Sequence, residues 1–485
     1  MTRRKIEKVQ LVLAGPKRPD TYVIKFARWP QPVGILSIGA YLGQHNPGVE
    51  VEILDGNNVL TFDDVVGKLD ADVVGVTTTA VNYDHAIEIA KIAKGRGARV
   101  VLGGSAATPL AKEILKYYSF VDAVIRYDGE VAFSKYISGV SLASIENLVY
   151  RDDGGIKENV IGLPDISELP MPDRDLVDME VYFENSQDPA YPICEPFKRP
   201  INIYSQKGCI WRTQDDGGCI FCSIPYFDLR MRAPKLVWDE ISYLVREYET
   251  DLIWDPSDNL IGDKEWFKSF CAAKPKGLNI HYTNYVDAKG IDEEVARLLV
   301  DSGCCSVFVG MEAGDPAMLK NMNKRSTLED NIRAMKLLQK YRIGVIVGVV
   351  AGVPGESRES LARTWEFLKQ LLEFDNLDRI EWGTLIPFPG SKANRLLREH
   401  PALADKYRNF GDENYMRDLF QMIEDWYKYF CEIDFDYIQQ LQESIAQKGL
   451  LPYEMTKYQR RSWSGTPSKV FIDKDTGEVP KLSQA

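Results

Sequence analysis

Short apolar runs alternate with amphipathic segments along most of the chain, and this alternation predicts two successive α/β regions. In the first region the apolar runs fall at 9–14, 49–54, 72–79, 99–102 and 123–125. These runs contain few polar residues, so both faces of each strand are expected to be covered by helices. The pattern therefore predicts a parallel, doubly wound, Rossmann-like sheet.

The same alternation resumes after residue 199. Strand-like runs fall at 201–205, 252–254, 278–282, 306–310, 344–350 and 379–386, and helical patterns at 236–248, 264–273, 292–302, 328–341 and 359–373 separate them. Six strands that alternate with helices predict a partial (β/α)6 barrel of the TIM type. In such a barrel the chemistry gathers at the carboxyl ends of the strands.

Changes in composition divide the chain into four parts. Residues 1–150 form the first domain, and a proline-rich linker at 151–198 begins with a turn between two short strands. The barrel is predicted over 199–395. Residues 396–485 form a small, mainly helical region with aromatic helices at 414–430 and 435–447 and a hairpin around 473–477. An aromatic stripe of this kind is expected to pack on the open side of the barrel.

Small and polar residues follow the third, fourth and fifth strands of the first domain, where a doubly wound sheet binds its ligand. They are Thr77, Thr78, Thr79, Gly103, Gly104, Ser105, Gly129 and Glu130. Such residues let a large flat ligand approach the backbone, although ordinary strand-end turns have the same composition. The first strand lacks a G-x-G-x-x-G motif, so a dinucleotide is not favoured.

Three cysteines follow the first barrel strand with the spacing C-x9-C-x2-C: Cys209, Cys219 and Cys222. Three thiolates on one loop suit an iron–sulfur cluster or zinc. With Cys194 as a fourth ligand, a structural zinc site is the alternative. The remaining cysteines fall in helical or strand patterns or at their edges and are expected to be inert thiols.

Charge and length exclude several functions. The 485 residues carry a net charge of -12 without a basic block, so bulk binding of nucleic acid is disfavoured. No run of 18 apolar residues occurs, and we therefore expect no membrane span. Eight cysteines are too few for a disulfide scaffold, and without an export signal the cytoplasm is the expected compartment.

The first domain resembles the cobalamin-binding domain that precedes radical S-adenosylmethionine (SAM) cores. The resemblance rests on Pro30-x-Pro32-x-Gly34, the Thr-rich end of the third strand, the Gly-Gly-Ser at 103–105 and the D-G-E at 128–130. It implies cobalamin contacts at Pro32 and Gly34 and at the strand-end residues named above. A D-x-H-x-x-G motif is missing, which implies base-off cobalamin without that histidine. His85 is expected to be a surface or capping residue.

The second region resembles the radical SAM enzymes through its cysteine loop, G-M-E-A-G at 310–314, G-V-P-G-E at 352–356 and P-F-P-G-S at 387–391. The resemblance implies a [4Fe–4S] cluster on the three cysteines, with SAM on its fourth iron. The implied SAM-binding residues are Phe221, Asp258, Asn284, Glu312 and Gly355. The family usually has C-x3-C-x2-C, so the long spacer at 210–218 is a departure. We expect it to fold over the cluster or to reach a partner.

Together the two resemblances imply a cobalamin-dependent radical SAM C-methyltransferase, which moves a methyl group from SAM via methylcobalamin to an unactivated carbon. An electron donor such as ferredoxin or flavodoxin is implied. The substrate stays open: a peptide or protein (such as a glutamine of methyl-coenzyme M reductase), a natural-product intermediate, a tetrapyrrole or a lipid. One alternative is a cobalamin-dependent cyclase or rearrangement enzyme. A corrin-binding module without turnover is another, which the full set of polar strand ends argues against.

Overall fold

The computed structural model describes residues 5–16, 30–187, 197–408 and 419–447. The predicted Cys194 and the predicted hairpin around 473–477 lie outside these ranges. The described residues form an α/β sheet domain, an open parallel barrel and C-terminal helices, which confirms the predicted fold class.

The first domain is built on a seven-stranded sheet with the order β2-β1-β3-β4-β5-β6-β7. Its first five strands are parallel, as predicted, and the two short strands around the turn at 151–155 add to its edge as an antiparallel pair. The strands are β1 (Lys8–Leu13), β2 (Glu50–Asp55), β3 (Val73–Thr77), β4 (Arg99–Gly103), β5 (Ala123–Ile125), β6 (Leu148–Asp152) and β7 (Gly155–Glu158).

Helices connect the parallel strands and cover the sheet: α1 (Val33–His45), α2 (Phe62–Lys68), α3 (Tyr83–Gly95), α4 (Ala107–Tyr117) and α5 (Glu130–Ile137). The apolar runs did not predict α2 and α5. A capping box signals the start of α2, since Thr61 accepts from the Asp64 backbone N–H and Asp64 accepts in return. The strand order reverses between β1 and β3, which places the ligand-binding edge at the carboxyl ends of β1 and β3 to β5.

The second domain is an open, all-parallel six-stranded barrel with the order β15-β14-β13-β12-β11-β8. A two-stranded hairpin, β9 with β10, closes the base of the cysteine loop. The strands are β8 (Pro200–Asn202), β9 (Gln206–Lys207), β10 (Arg230–Met231), β11 (Leu252–Asp255), β12 (His281–Val286), β13 (Cys304–Glu312), β14 (Gly344–Ala351) and β15 (Leu377–Thr384). The helices of the linker and barrel are α6 (Met179–Ser186), α7 (Pro234–Tyr248), α8 (Lys264–Ala272), α9 (Glu293–Ser302), α10 (Pro316–Asn321), α11 (Leu328–Lys340) and α12 (Arg358–Leu371).

The third barrel strand lies later in the chain than the apolar pattern predicts, at His281–Val286 instead of 278–282. Leu278 closes a turn on Pro275, and pairing with β11 begins only at His281. Tyr282 faces the helices, because its hydroxyl lies 2.7 Å from the Ser302 hydroxyl on α9. By strand alternation, Asn284 shares this face and Tyr285 points into the barrel.

Within the described residues, four helices follow the barrel: α13 (Lys392–Glu399), α14 (Ala404–Arg408), α15 (Leu419–Phe430) and α16 (Phe435–Gln447). Helix α15 packs on the β14–α12 loop, as the aromatic stripe predicts. The Trp426 indole donates to Gly352 O at 2.7 Å, and the Tyr427 hydroxyl lies 2.7 Å from the Thr384 hydroxyl. No helix in the described ranges is both long and apolar enough to span a membrane.

Reciprocal hydrogen bonds join the two domains beside the first barrel strand. The Gln31 N–H donates to Asn202 Oδ1 at 2.8 Å, and the Asn202 N–H and Nδ2 donate back to Gln31 Oε1 and O, each at 3.1 Å. All these atoms are buried. The pair holds the start of α1 against β8, so the ligand-binding edge of the first sheet faces the carboxyl end of the barrel.

Candidate cofactor site

The three cysteine thiols of the loop between β9 and β10 lie close enough to influence one another electrostatically. Burial raises the pKa of Cys219 to about 12 and also raises the pKa values of Cys209 and Cys222. A metal must therefore displace the thiol protons when it binds. The Lys324 ammonium near Cys219 opposes this effect: its positive charge lowers the pKa of the thiol and so favours the thiolate.

The arrangement of these thiols bears on the choice between a cluster and zinc. Among the described residues, no group of three or more His, Cys, Asp or Glu side chains is placed to hold one metal ion. Three thiols can each bind one iron of a [4Fe–4S] cluster and leave the fourth iron open, as the resemblance implies. The zinc alternative needs Cys194, which lies outside the described residues.

The spacer at 210–218 is fastened to the barrel on both sides. The Asn323 amide donates to Asp216 O at 2.7 Å and to Gly218 O at 3.0 Å, and Lys392 Nζ donates to Asp216 O and Gly217 O at 3.0 and 2.9 Å. The Trp211 indole donates in turn to Asn323 O at 2.9 Å. The spacer therefore folds back on its own chain, with only residues 213–216 exposed.

We expect Asn323→Gly to loosen the spacer and to speed the loss of iron from the loaded protein in air several-fold. The change removes two hydrogen bonds, about 1 kcal/mol each, and keeps the positive φ of this residue accessible. Iron release followed with a chelator measures the effect. Asn321→Ala is the control, since its amide donates to Pro354 O instead. Equal release rates in the two variants would show that the spacer contacts do not protect the cluster.

Three of the five predicted SAM-binding residues lie in or beside the cysteine loop. Asp258 accepts from the Gly208 N–H at 3.1 Å, and burial raises its pKa to about 6. Glu312, at the end of β13 with a φ of 66°, pairs with Lys324 at 2.9 Å near Cys219. Phe221, inside the loop, packs partly buried on the core.

The other two predicted SAM-binding residues, Asn284 and Gly355, have different surroundings. Asn284 is buried on the helix-facing side of β12, and neither amide atom has a hydrogen-bond partner among the described residues. The Gly355 N–H donates to Phe430 O of α15 at 2.7 Å. That N–H therefore already has a partner within the chain.

A cavity of about 400 Å³ separates the two domains above the cysteine loop. A narrower slot of about 160 Å³ shares lining residues with this cavity. It lies between the strands of the first sheet and α5. Six residues line both spaces: Gly34, Gly104, Tyr127, Glu130, Lys207 and Tyr226. The two spaces thus reach from the first sheet to Ile224, Pro225 and Tyr226 of the cysteine loop.

The predicted cobalamin residues divide among these spaces. Thr77, Gly103 and Gly129 line the slot, and Ser105 lines the cavity. Pro32, Thr79 and Ser105 line a further cavity of about 370 Å³ that also includes Phe388 and Pro389. Thr78 lines none of the three. Its hydroxyl donates to Gly103 O at 2.8 Å and accepts from the Ala107 N–H at 2.9 Å, which ties β3 to β4 and α4.

Glu130 presents a buried oxygen at the boundary between the cavity and the slot. Its Oε1 accepts from the Ser37 hydroxyl at 2.8 Å, whereas Oε2 has no hydrogen-bond partner among the described residues. A buried, unpaired carboxylate oxygen is costly unless a ligand donates to it. The amide side chains of a corrin are donors of this kind. His85 does not line these spaces, and its Nδ1 lies 3.0 Å from Gly15 O.

Several cavity residues were not predicted from the sequence, including Tyr127, Tyr204, Lys207, Tyr226 and Arg232. Lys207 precedes the first cysteine by two residues and Tyr226 follows the last by four, so the only signal in the sequence was their closeness to the cysteines. Tyr127 has a φ of 59°, which no sequence pattern reveals.

Comparisons with known proteins agree with this geometry. A B12 binding domain matches residues 19–137, and the Radical SAM superfamily matches residues 203–368. A protein of Pyrococcus horikoshii named an uncharacterized methyltransferase is 28% identical, with 81% of this chain and 85% of the relative covered. The anaerobic magnesium-protoporphyrin IX monomethyl ester cyclase of Rubrivivax gelatinosus is 26% identical, with 80% and 68% covered.

A solved structure shows the same fold. The radical SAM methyltransferase TsrM from Kitasatospora setae, with cobalamin and a [4Fe–4S] cluster bound, superposes with a TM-score of 0.63 at 18% identity. The match covers 81% of this chain and 78% of TsrM.

The fold and the matched domains define a radical SAM enzyme with a B12 binding domain ahead of its barrel. The chain thus carries a B12 binding domain and a Radical SAM domain, and it is similar to proteins named as methyltransferases. The predicted enzyme class is confirmed.

Proposed function

We propose that this enzyme transfers a methyl group from SAM to an unactivated carbon of its substrate, with cobalamin as the methyl carrier. One observation carries the proposal: the cysteine loop and the ligand-binding edge of the first sheet face each other across one cavity. A radical formed at one side and a methyl group held at the other can then meet the same substrate carbon.

Cys209, Cys219 and Cys222 would hold the [4Fe–4S] cluster. When bound, the cluster supplies the electron that cleaves SAM, and cobalamin carries the methyl group. Asp258 and Glu312 are the carboxylates beside the loop that would orient the SAM ammonium or ribose groups. Phe221, Asn284 and Gly355 stay predictions for that role.

For cobalamin, Gly34 and Gly104 would let the corrin approach the backbone, and Glu130 would accept from a corrin amide. The slot suits the flat aromatic base of the nucleotide tail, because apolar side chains such as Leu11 and Phe133 line it. A Cβ on Gly75 would lie 3.0 Å from atoms of these two side chains, so a larger residue there would displace them. This arrangement supports base-off binding.

The linker also supplies an apolar wall for the reaction space. Linker residues Ile166, Leu169, Pro170 and Pro172 line the cavity and present mostly apolar surface to it. A dry, closed space protects radicals from quenching by water and other donors. The linker is held there by Arg174, whose guanidinium pairs with Glu240 at 3.2 Å and donates to Asn202 O at 2.9 Å.

Anaerobically purified protein tests the proposal. We expect about four irons per chain and a corrin absorbance. With substrate and a reductant, each methylated product should be accompanied by one methionine, one 5′-deoxyadenosine and one S-adenosylhomocysteine, with two electrons consumed. Zinc without iron, or a cluster without retained corrin, would refute the assignment.

The named cyclase among the relatives supports a second candidate, ring closure without methyl transfer. The mass of the product separates the two reactions, since only a transferase adds one methyl group. Peptide and protein substrates, including a glutamine of methyl-coenzyme M reductase, stay predictions, as do ferredoxin or flavodoxin as the electron donor. The same mass measurement, made on candidate peptides and proteins, tests whether they are substrates.

A further inference from the structure

Asp128 is a carboxylate of the first domain that receives side chains from both ends of the cysteine loop. It precedes Gly129 and Glu130 in the D-G-E segment, and its side chain is 1% exposed. Lys207 Nζ lies 2.5 Å from Oδ1, and the Tyr226 hydroxyl donates to the same oxygen at 2.9 Å. The Arg230 guanidinium lies 2.7 Å from Oδ2.

These three partners bracket the cysteines along the chain. Lys207 lies two residues before Cys209, and Tyr226 and Arg230 lie four and eight residues after Cys222. Lys207 and Arg230 are also paired across the β9–β10 hairpin, so both ends of the loop reach the carboxylate together. One side chain of the corrin-type domain therefore fixes the base of the whole loop.

The contact is electrostatic and buried. Burial alone would raise the pKa of Asp128, but the neighbouring ammonium of Lys207 and guanidinium of Arg230 hold it below its ordinary value. Each cation has a second, longer carboxylate contact: Lys207 to Glu130 at 3.9 Å and Arg230 to Asp228 at 3.4 Å. Neutralising Asp128 would thus leave neither cation without a carboxylate, and both would be drawn toward the remaining ones.

We propose that Asp128 is a positioning residue that sets the distance between the iron–sulfur cluster and the corrin. The inference rests on the proposed function, since it requires both cofactors. Asp128 also lines the slot, but no role in contacting the substrate or the cluster is assigned to it. Its effect is exerted through Lys207, Tyr226 and Arg230 on the loop that carries the thiols.

Asp128→Asn keeps the shape of the side chain and removes its charge. With cluster and cobalamin loaded, we expect iron and corrin contents equal to those of the wild type. Pulsed EPR between the reduced cluster and the Co(II) form of cobalamin should show a broader distance distribution, with its maximum moved by on the order of an ångström or more. A displacement of that size is enough to cost about 100-fold in a reaction rate.

Asp122→Asn is the control, because Asp122 also holds a lysine (Lys94, 2.6 Å) and a backbone N–H in the same domain, away from the loop. It should leave the distance distribution unchanged. If Asp128→Asn does not fold, Lys207→Met is measured in the same way and judged by the same criterion. A wild-type distribution in a fully loaded Asp128 variant would overturn the proposal. Absence of cluster or corrin from the wild type would instead refute the proposed function.

Discussion

Replacement of Cys219 by alanine is expected to reduce 5′-deoxyadenosine formation to the background of a chain without cluster, while cobalamin retention stays at the wild-type level. Cys219 is one of only three cluster thiols that we assign, and a cubane held by two is not expected to persist. Cys219 is not among the residues that line the slot. Iron content, corrin absorbance and 5′-deoxyadenosine measured on one preparation separate the two cofactors.

Cys271→Ala is the matched control for this experiment. Cys271 lies on α8, where its thiol contacts Leu298 O at 3.6 Å, and it is partly buried like Cys219. We expect wild-type iron content and wild-type cleavage of SAM in this variant. Unchanged cleavage in the Cys219 variant would contradict the cluster assignment, and loss of corrin from it would contradict the independence of the two cofactor sites.

Gly34→Leu is expected to lower the cobalamin retained per chain by about tenfold or more, while the cluster and SAM cleavage persist. Gly34 lies in the first turn of α1, at the wall shared by the cavity and the slot, and a Cβ there would meet no protein atom within 4 Å. The leucine side chain would therefore occupy the space that we assign to the corrin. A cost of about 1.4 kcal/mol, within the ~1–3 kcal/mol range typical of overpacking, already corresponds to a tenfold loss of binding.

The same helix provides a control for folding. Gly43 also lies on α1, and a Cβ at this position would have no atom within 4 Å. The residue faces away from the cavity and the slot. Leucine favours a helix over glycine by roughly 0.7–1 kcal/mol, so neither substitution is expected to destabilise α1. Thermal unfolding should confirm this. Equal corrin retention in the Gly34 and Gly43 variants would show that cobalamin does not occupy the cavity.

Local patterns predicted most of the fold and the position of the cysteine loop. Apolar alternation locates strands such as β5, and the C-x9-C-x2-C spacing marks the metal site because its residues are adjacent in sequence. The third barrel strand was misplaced, since Leu278–Ile280 are as apolar as a strand and only the pairing partner at Leu252 decides where the strand begins.

Contacts between distant residues could not be predicted. Asp128 and Lys207 are 79 residues apart, and nothing local to either one indicates the other. Gly355 belongs to a recognisable G-V-P-G-E segment, yet its N–H donates to Phe430 of a helix that follows the barrel. In both cases a short motif was recognised correctly as a strand end, while the tertiary structure decided which of its atoms remain available to a cofactor.

The pairing of Asp128 with the cysteine loop has a consequence for engineering hybrid enzymes. A corrin-type domain transplanted from one relative onto the barrel of another would bring its own D-G-E segment to a foreign loop. If the recipient lacked Lys207 or Arg230, the buried carboxylate would lose a cation, and without Tyr226 it would lose a hydrogen-bond donor. Gln31 of the first domain and Asn202 of β8 also form a hydrogen-bonded pair across the two domains, so both members must be present in a hybrid. Functional chimeras should therefore exchange these six residues as one unit.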